Sequence, residues 1–206
     1  GRRGHINRWE EYRGDLASAS SHLSRLYPTT ALFAMGHSMG GVVVLEYALT
    51  AEIAPRGVIA SAPALGTDGV SAFKVAASRV LSAVAPALQI ELGLDVENLS
   101  RDPAVVAAYR ADPLVHGTAS MRFGTEIMGA QRQVIERAGQ FPCPLLVVHG
   151  DDDRIASIAA IQSFYDGVQQ KDRTRVVYPG AQHEPHNELQ KQEVLALYRD
   201  WILARA

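Results

Sequence analysis

Apolar residues recur along this chain in two rhythms. Between residues 8 and 27, Trp9, Tyr12, Leu16, Ala19, Leu23 and Leu26 return at spacings of three and four. That is the period of an amphipathic helix, and Pro28 ends it. Residues 31–35 and 58–62 then form short apolar runs that read as buried strands, and residues 144–149 and 174–178 read as two further strands. Helical stripes lie between and after them. One starts at Val42 and runs to about residue 51. Another runs through Ile158, Ile161, Tyr165 and Val168, and the last through Val194, Leu197, Tyr198, Trp201 and Ile202. Asn187-x-x-Gln190 has the form of a capping box that opens the closing helix. Strand alternating with helix predicts the α/β class, with a mainly parallel sheet covered by helices on both faces.

Residues 63–141 break that rhythm. They carry no convincing strand and at least three helical stretches. Phe73, Ala76, Ala77, Val80, Leu81, Val84 and Leu88 make one stripe. Asp102-Pro103 reads as an N-cap followed by proline at the first helical position, opening a helix through Tyr109. Met121, Ile127, Met128, Val134, Ile135 and Ala138 mark a third helix over residues 118–138. An all-helical insertion between two strands reads as a cap over the strand ends. The expected organisation is a first part of the core at 1–62, a cap at 63–141, and a second part of the core at 142–206.

Composition narrows the picture. A chain of 206 residues is long enough for one domain with a sizeable core. The formal net charge is −2 and no basic cluster stands out, so nucleic-acid binding has no electrostatic support. No apolar run approaches membrane-spanning length. Cys143 is the only cysteine, so no internal disulfide forms; set between prolines, it reads as a packed thiol and fits a reducing compartment such as the cytoplasm. The opening Gly1-Arg2-Arg3-Gly4-His5-Ile6 has neither an initiator methionine nor a signal-peptide pattern, and reads as the middle of a loop.

The chemistry centres on Gly36-His37-Ser38-Met39-Gly40, a G-x-S-x-G pattern between a predicted strand and a predicted helix. A serine on such a turn points its hydroxyl away from its own backbone, and the flanking glycines leave room for the crowding. The N–H of Met39 falls at the start of the helix, where it can donate to an oxyanion. A serine hydroxyl needs a base, and the base needs an orienting carboxylate. In open parallel sheets ligands bind beyond the carboxyl ends of strands. Asp153 follows one such strand and His183 follows another. The order serine, acid, histidine is that of the α/β-hydrolases. Chemistry alone leaves Asp151 and Asp152 as rivals of Asp153, and His186 as a rival of His183. His37, His116 and His149 read as ordinary, partly buried histidines.

Taken together, these segments resemble the monoacylglycerol lipase and lysophospholipase family of serine α/β-hydrolases. The resemblance rests on Gly36-His37-Ser38-Met39-Gly40-Gly41, Ser61-Ala62-Pro63-Ala64, Asp112-Pro113-Leu114-Val115 and His149-Gly150-Asp151-Asp152-Asp153. It rests also on Gly180-Ala181-Gln182-His183-Glu184 with Asn187-Glu188 behind them. It implies the α/β-hydrolase fold with a helical cap, and hydrolysis of single-chain acyl esters such as monoacylglycerols. It implies Ser38 as nucleophile, Asp153 as the acid and His183 as the base, with no metal or organic cofactor. Val70, Phe73, Ala77, Leu81, Ile127 and Met128 are then candidates for an acyl-binding wall, and the cap for transient contact with a membrane or micelle surface. Members of the family carry further strands ahead of the equivalent of residue 1, and a loop there supplies the second oxyanion donor. The expectation is that those strands are absent from this chain, leaving Met39 as the one donor and making an N-terminal segment of the same protein a partner. Losing one such donor costs roughly 3 kcal/mol of transition-state stabilisation. Two other readings stand beside this one: a short-chain esterase or thioesterase, and an incomplete hydrolase acting as a binding module.

Overall fold

The computed structural model describes residues 2–66 and 72–206, and for residues 72–75 and 77 the backbone alone. Val70 therefore lies outside the described residues, as do the side chains of Phe73 and Ala77.

Four strands form a parallel sheet: β1 (Phe33–His37), β2 (Gly57–Ser61), β5 (Leu145–Gly150) and β6 (Arg173–Tyr178), in the order β1-β2-β5-β6. The two central strands, β2 and β5, are buried along their whole length, which is why they read as unbroken apolar runs. Alternate residues still go to opposite faces. Val58, Ala60, Leu145 and Val147 join one core cluster, and Ile59, Leu146 and Val148 the other. The first cluster is completed by α2 (Met39–Thr50), α5 (Met121–Glu136) and α6 (Ile158–Gly167), through Val42, Leu45, Val134, Ile161 and Phe164. The second is closed by α7 (Lys191–Leu203), through Val194, Tyr198 and Trp201. Helices thus cover both faces, as the alternation predicts.

The predicted N-terminal helix is α1 (Glu10–Leu26). Its stripe is only partly used: Trp9 is buried and Tyr12 and Leu16 pack on the first cluster, but Leu23 and Leu26 stay exposed. An ion pair from Arg13 to the buried Glu46 of α2, at 2.8 Å, ties the helix down.

Between β2 and β5 the chain forms α3 (Ala72–Val84), β3 (Gln89–Glu91), a 3₁₀ turn (Val96–Asn98), α4 (Pro103–Ala111), β4 (Thr118–Ser120) and α5. Asp102 caps α4 as its sequence suggests, accepting from the N–H of Ala104 at 3.0 Å with Pro103 at the first position. The expectation of no strand here is corrected. β3 and β4 pair antiparallel, with Ile90 opposite Ala119. Three-residue strands are too short for an alternation to declare itself in sequence. The third helix begins at Met121 rather than residue 118, because β4 uses Thr118–Ser120 and the Ser120 hydroxyl then caps it, accepting from Phe123 N–H at 3.1 Å.

The capping box at the closing helix is also corrected. Asn187 ends a 3₁₀ turn (Pro185–Asn187), and α7 starts at Lys191 with Gln190 at its N-cap making no side-chain cap bond. The Asn187 side chain instead donates to Glu184 Oε2 at 2.7 Å, inside the loop that carries His183.

Candidate active site

Ser38 sits between β1 and α2 with φ 53° and ψ −117°, in the left-handed region that a side chain rarely adopts. Neighbours hold it there. Its N–H donates to Ser61 O at 3.0 Å, and its carbonyl accepts from Gly41 and Ala64 N–H, each at 3.0 Å. The turn is tight enough that a Cβ on Gly36 would lie 2.0 Å from Gly40 O. Met39 opens α2, so its N–H is among the donors that a helix leaves without an internal acceptor.

Two loops bring the rest. After β5, Asp153 is buried, and its Oδ1 accepts from the N–H groups of Ile155 at 2.8 Å and Ala156 at 2.9 Å. After β6, His183 is buried and reaches both partners. Its Nδ1 lies 2.9 Å from Asp153 Oδ2, and its Nε2 lies 2.9 Å from Ser38 Oγ. A carboxylate only accepts, so Nδ1 carries the proton and Nε2 is left to accept from the serine hydroxyl. Burial pushes the Asp153 carboxyl up. The bond from His183, its charge and the two backbone donors pull it back, and the net position is below the usual carboxylate range.

The rivals have other tasks. Asp151 Oδ1 accepts from Gly180 N–H at 2.5 Å, and Asp152 pairs with Arg154 at 3.2 Å. The run of aspartates is therefore split among separate partners, and among the described residues no cluster of His, Cys, Asp or Glu is placed to hold a metal ion. His186 stands edge-on to the His37 ring at 4.7 Å, with a buried Nδ1 that has no hydrogen-bond partner. His149 is fully buried at the end of β5; its Nε2 accepts from Arg175 at 2.9 Å, and burial foremost holds its pKa down.

Two residues here carry more than their sequence context suggests. His37 packs against the His183 ring at 4.8 Å and donates from Nδ1 to Ser61 O at 3.1 Å. Burial first, then its imidazole neighbours, push its pKa down to about 3. It stays neutral beside His183, so no second positive charge competes at this spot. Adjacency to the serine was the one sequence signal for it. The other residue is Glu188, whose buried carboxylate accepts from the N–H of Gln182, next to His183. Of the wall candidates, Leu81 is 40% exposed, whereas Ile127 packs against the main core and Met128 is half-buried.

The profile of the family described as "Serine aminopeptidase, S33" matches residues 1–190. The monoacylglycerol lipase of Mycolicibacterium smegmatis is 36% identical over 206 residues, covering 99% of this chain and 73% of that protein. The chain belongs to the monoacylglycerol lipase and lysophospholipase family of serine α/β-hydrolases. A putative monoglyceride lipase of Schizosaccharomyces pombe is 34% identical over 178 residues, and this chain matches 47% of its length. The crystal structure of Paleococcus ferrophilus monoacylglycerol lipase superposes with a TM-score of 0.92 at 30% identity, covering all of this chain and 79% of that one. The fold of this family member is accordingly the α/β-hydrolase fold, with Ser38 on the turn after β1.

Proposed function

We propose that this α/β-hydrolase cleaves carboxylic esters of single-chain lipids, monoacylglycerols foremost, through an acyl-enzyme. What carries the reading is the unbroken line of hydrogen bonds from Ser38 through His183 to Asp153. Relatives named as monoacylglycerol lipases support it.

In this reading Ser38 Oγ attacks the ester carbonyl while His183 Nε2 takes its proton. Asp153 supports the imidazolium that forms. The oxyanion is met by the N–H of Met39, at the positive end of α2. His183 then returns the proton to the leaving alcohol, and water repeats the sequence on the acyl-serine. Residues 63–141 serve as the cap. Of the described candidates, Leu81, Ile127 and Met128 wall the acyl chain. Val80, Val84, Leu88, Ile90 and Leu92 are exposed, which suits a cap that meets a lipid surface.

A fluorophosphonate probe and 1-oleoylglycerol hydrolysis test this together. The expected result is labelling at Ser38 and release of oleate, both abolished by Ser38→Ala. A folded chain that takes up no probe and releases no fatty acid overturns the reading and leaves a binding module. Rates on acetyl, octanoyl and oleoyl glycerol separate a lipase from a short-chain esterase; the long chains are expected to lead.

A further inference from the structure

The loop that presents His183 is built around a carboxylate that takes no part in the proton transfers. Glu188 has no exposed surface, and its two oxygens receive N–H groups from two separate stretches of chain. Oε1 accepts from Gln182 N–H at 2.9 Å and from Arg101 N–H at 3.1 Å. Oε2 accepts from Arg101 Nε at 2.9 Å and from Leu189 N–H at 3.1 Å. Gln182 directly precedes His183, and Arg101 directly precedes the cap of α4. The same two stretches are joined again on either side. His183 N–H donates to Asn98 O at 3.3 Å and Glu184 N–H to Leu99 O at 2.8 Å, while the Ser100 hydroxyl donates to Asn187 O at 3.0 Å. Burial raises the Glu188 carboxyl, but the three backbone donors and the guanidinium outweigh it and keep the group ionised.

We propose that Glu188 is a positioning residue: its carboxylate bolts the His183 loop to the segment ahead of α4 and thereby fixes the His183 ring between Ser38 and Asp153. The proposal rests on the reading of Ser38, His183 and Asp153 as the catalytic residues. The physical reason is the shortness of the link. The N–H of Gln182 that donates to Glu188 lies one residue ahead of His183, so a shift of the carboxylate is passed to the ring through that single residue. A misplacement of about 1 Å at a reacting group costs on the order of 10²-fold in rate. Glutamine cannot substitute. Each oxygen of Glu188 faces two donors, so whichever way an amide is turned, its NH₂ meets a pair of N–H groups. Arg101 contributes only part of the arrangement, since its backbone N–H stays when its side chain is removed.

The test uses the 206-residue chain and reads the ring directly as well as the rate. The proton on His183 Nδ1, shared with a buried carboxylate, gives a far-downfield proton resonance, assigned by its loss in Asp153→Asn. In folded Glu188→Gln that resonance is expected to vanish or broaden. On a soluble ester, kcat is expected to fall about 10- to 100-fold with KM changed less than about twofold. In an Asp153→Asn background the same substitution is expected to cost under about threefold, because the ring there already holds the wrong tautomer and its exact placement no longer limits the rate. Arg101→Ala gives a smaller kcat loss, about 3- to 10-fold, which Arg101→Lys partly restores; this pair carries the test if Glu188→Gln does not fold. The proposal is overturned if a folded Glu188→Gln, or Arg101→Ala in its place, keeps the wild-type resonance. It is overturned equally if the kcat cost is the same in both backgrounds, or if the wild-type chain shows no such resonance. An intact resonance pattern with no ester hydrolysis in the wild type would sink the catalytic reading instead, with the positioning of the ring still read by the spectrum.

Discussion

The end of the sheet and the segment from α3 to β4 are both rich in apolar residues, yet they hold them in opposite ways. Leu145, Leu146, Val147 and Val148 of β5 are all 0% exposed, whereas Val80 is 64%, Val84 75% and Leu88 49% exposed. β5 has a strand on either side and a helix layer over each face, so every side chain finds a partner. α3 packs on α5, yet the described members of its stripe, Ala76, Val80, Leu81 and Val84, face outward. An apolar period thus predicts an element but not what will cover it. Burial at the sheet end also has a chemical consequence. It removes water from around Asp153 and His183, so their bond is made where electrostatic contacts are strong. In the segment from α3 to β4 the apolar face is left exposed, and the one histidine, His116, is exposed rather than partly buried as its sequence suggests.

That contrast can be broken at several points. The largest effect is expected from Asp153→Asn, which leaves the shape but presents an amide to His183 Nδ1. Ester hydrolysis should drop about 10³- to 10⁴-fold in kcat with little change in thermal midpoint, measured by steady-state kinetics beside a melting curve. Next is Gly36→Ala, whose Cβ would meet Gly40 O at 2.0 Å. The backbone cannot yield there without moving Ser38, so urea denaturation should show a loss of about 3 kcal/mol together with most of the activity. A matched pair then compares the regions directly. Val134→Ala removes a 0%-exposed side chain of α5 and should cost about 2 kcal/mol in the same assay. Val84→Ala, at 75% exposed, should change stability by less than about 0.5 kcal/mol while weakening adsorption to phosphatidylcholine vesicles.

The smallest effect is a slope. His37 is held neutral in the fold, from an ordinary 6.5 down to about 3. The unfolded chain therefore binds a proton there before the folded one does. Its contribution is complete above pH 6.5 and is lost progressively as pH falls toward 3. Replacing His37 with Gln should flatten stability against pH in that window by at most about 1.4 kcal/mol per pH unit. Asp153 and Glu188, both held below the usual carboxylate range, add their loss at the acid end of the same window. Equilibrium unfolding at pH 7, 6, 5 and 4 gives the slopes.

Much of this is legible in the sequence. The two central strands, β2 and β5, appear as unbroken apolar runs because they are buried on both faces, and the edge strands β1 and β6 show as shorter runs although they are only partly buried. Ser38 declares itself through its glycines, of which Gly36 and Gly41 have no room for a side chain, while a Cβ at Gly40 would meet open space, contrary to the expectation that both flanking glycines relieve crowding. Asp153 and His183 were narrowed by their places after strands and by chain order, and only the family resemblance separated them from Asp151, Asp152 and His186. The short pairing of β3 with β4, the start of α5 and the false capping box at Asn187 were not legible. Each depends on which backbone groups meet across many residues, and no local period reports that.

By itself the sequence determined the strand-helix alternation, the serine turn and the residue types needed for proton transfer, since these follow from local spacing and intrinsic chemistry. Only the tertiary structure decided which aspartate faces His183, that His37 is kept neutral, and that Glu188 gathers donors from chain stretches more than eighty residues apart. Partner choice, burial and charge are properties of what surrounds a group, and those surroundings exist only once distant segments have packed.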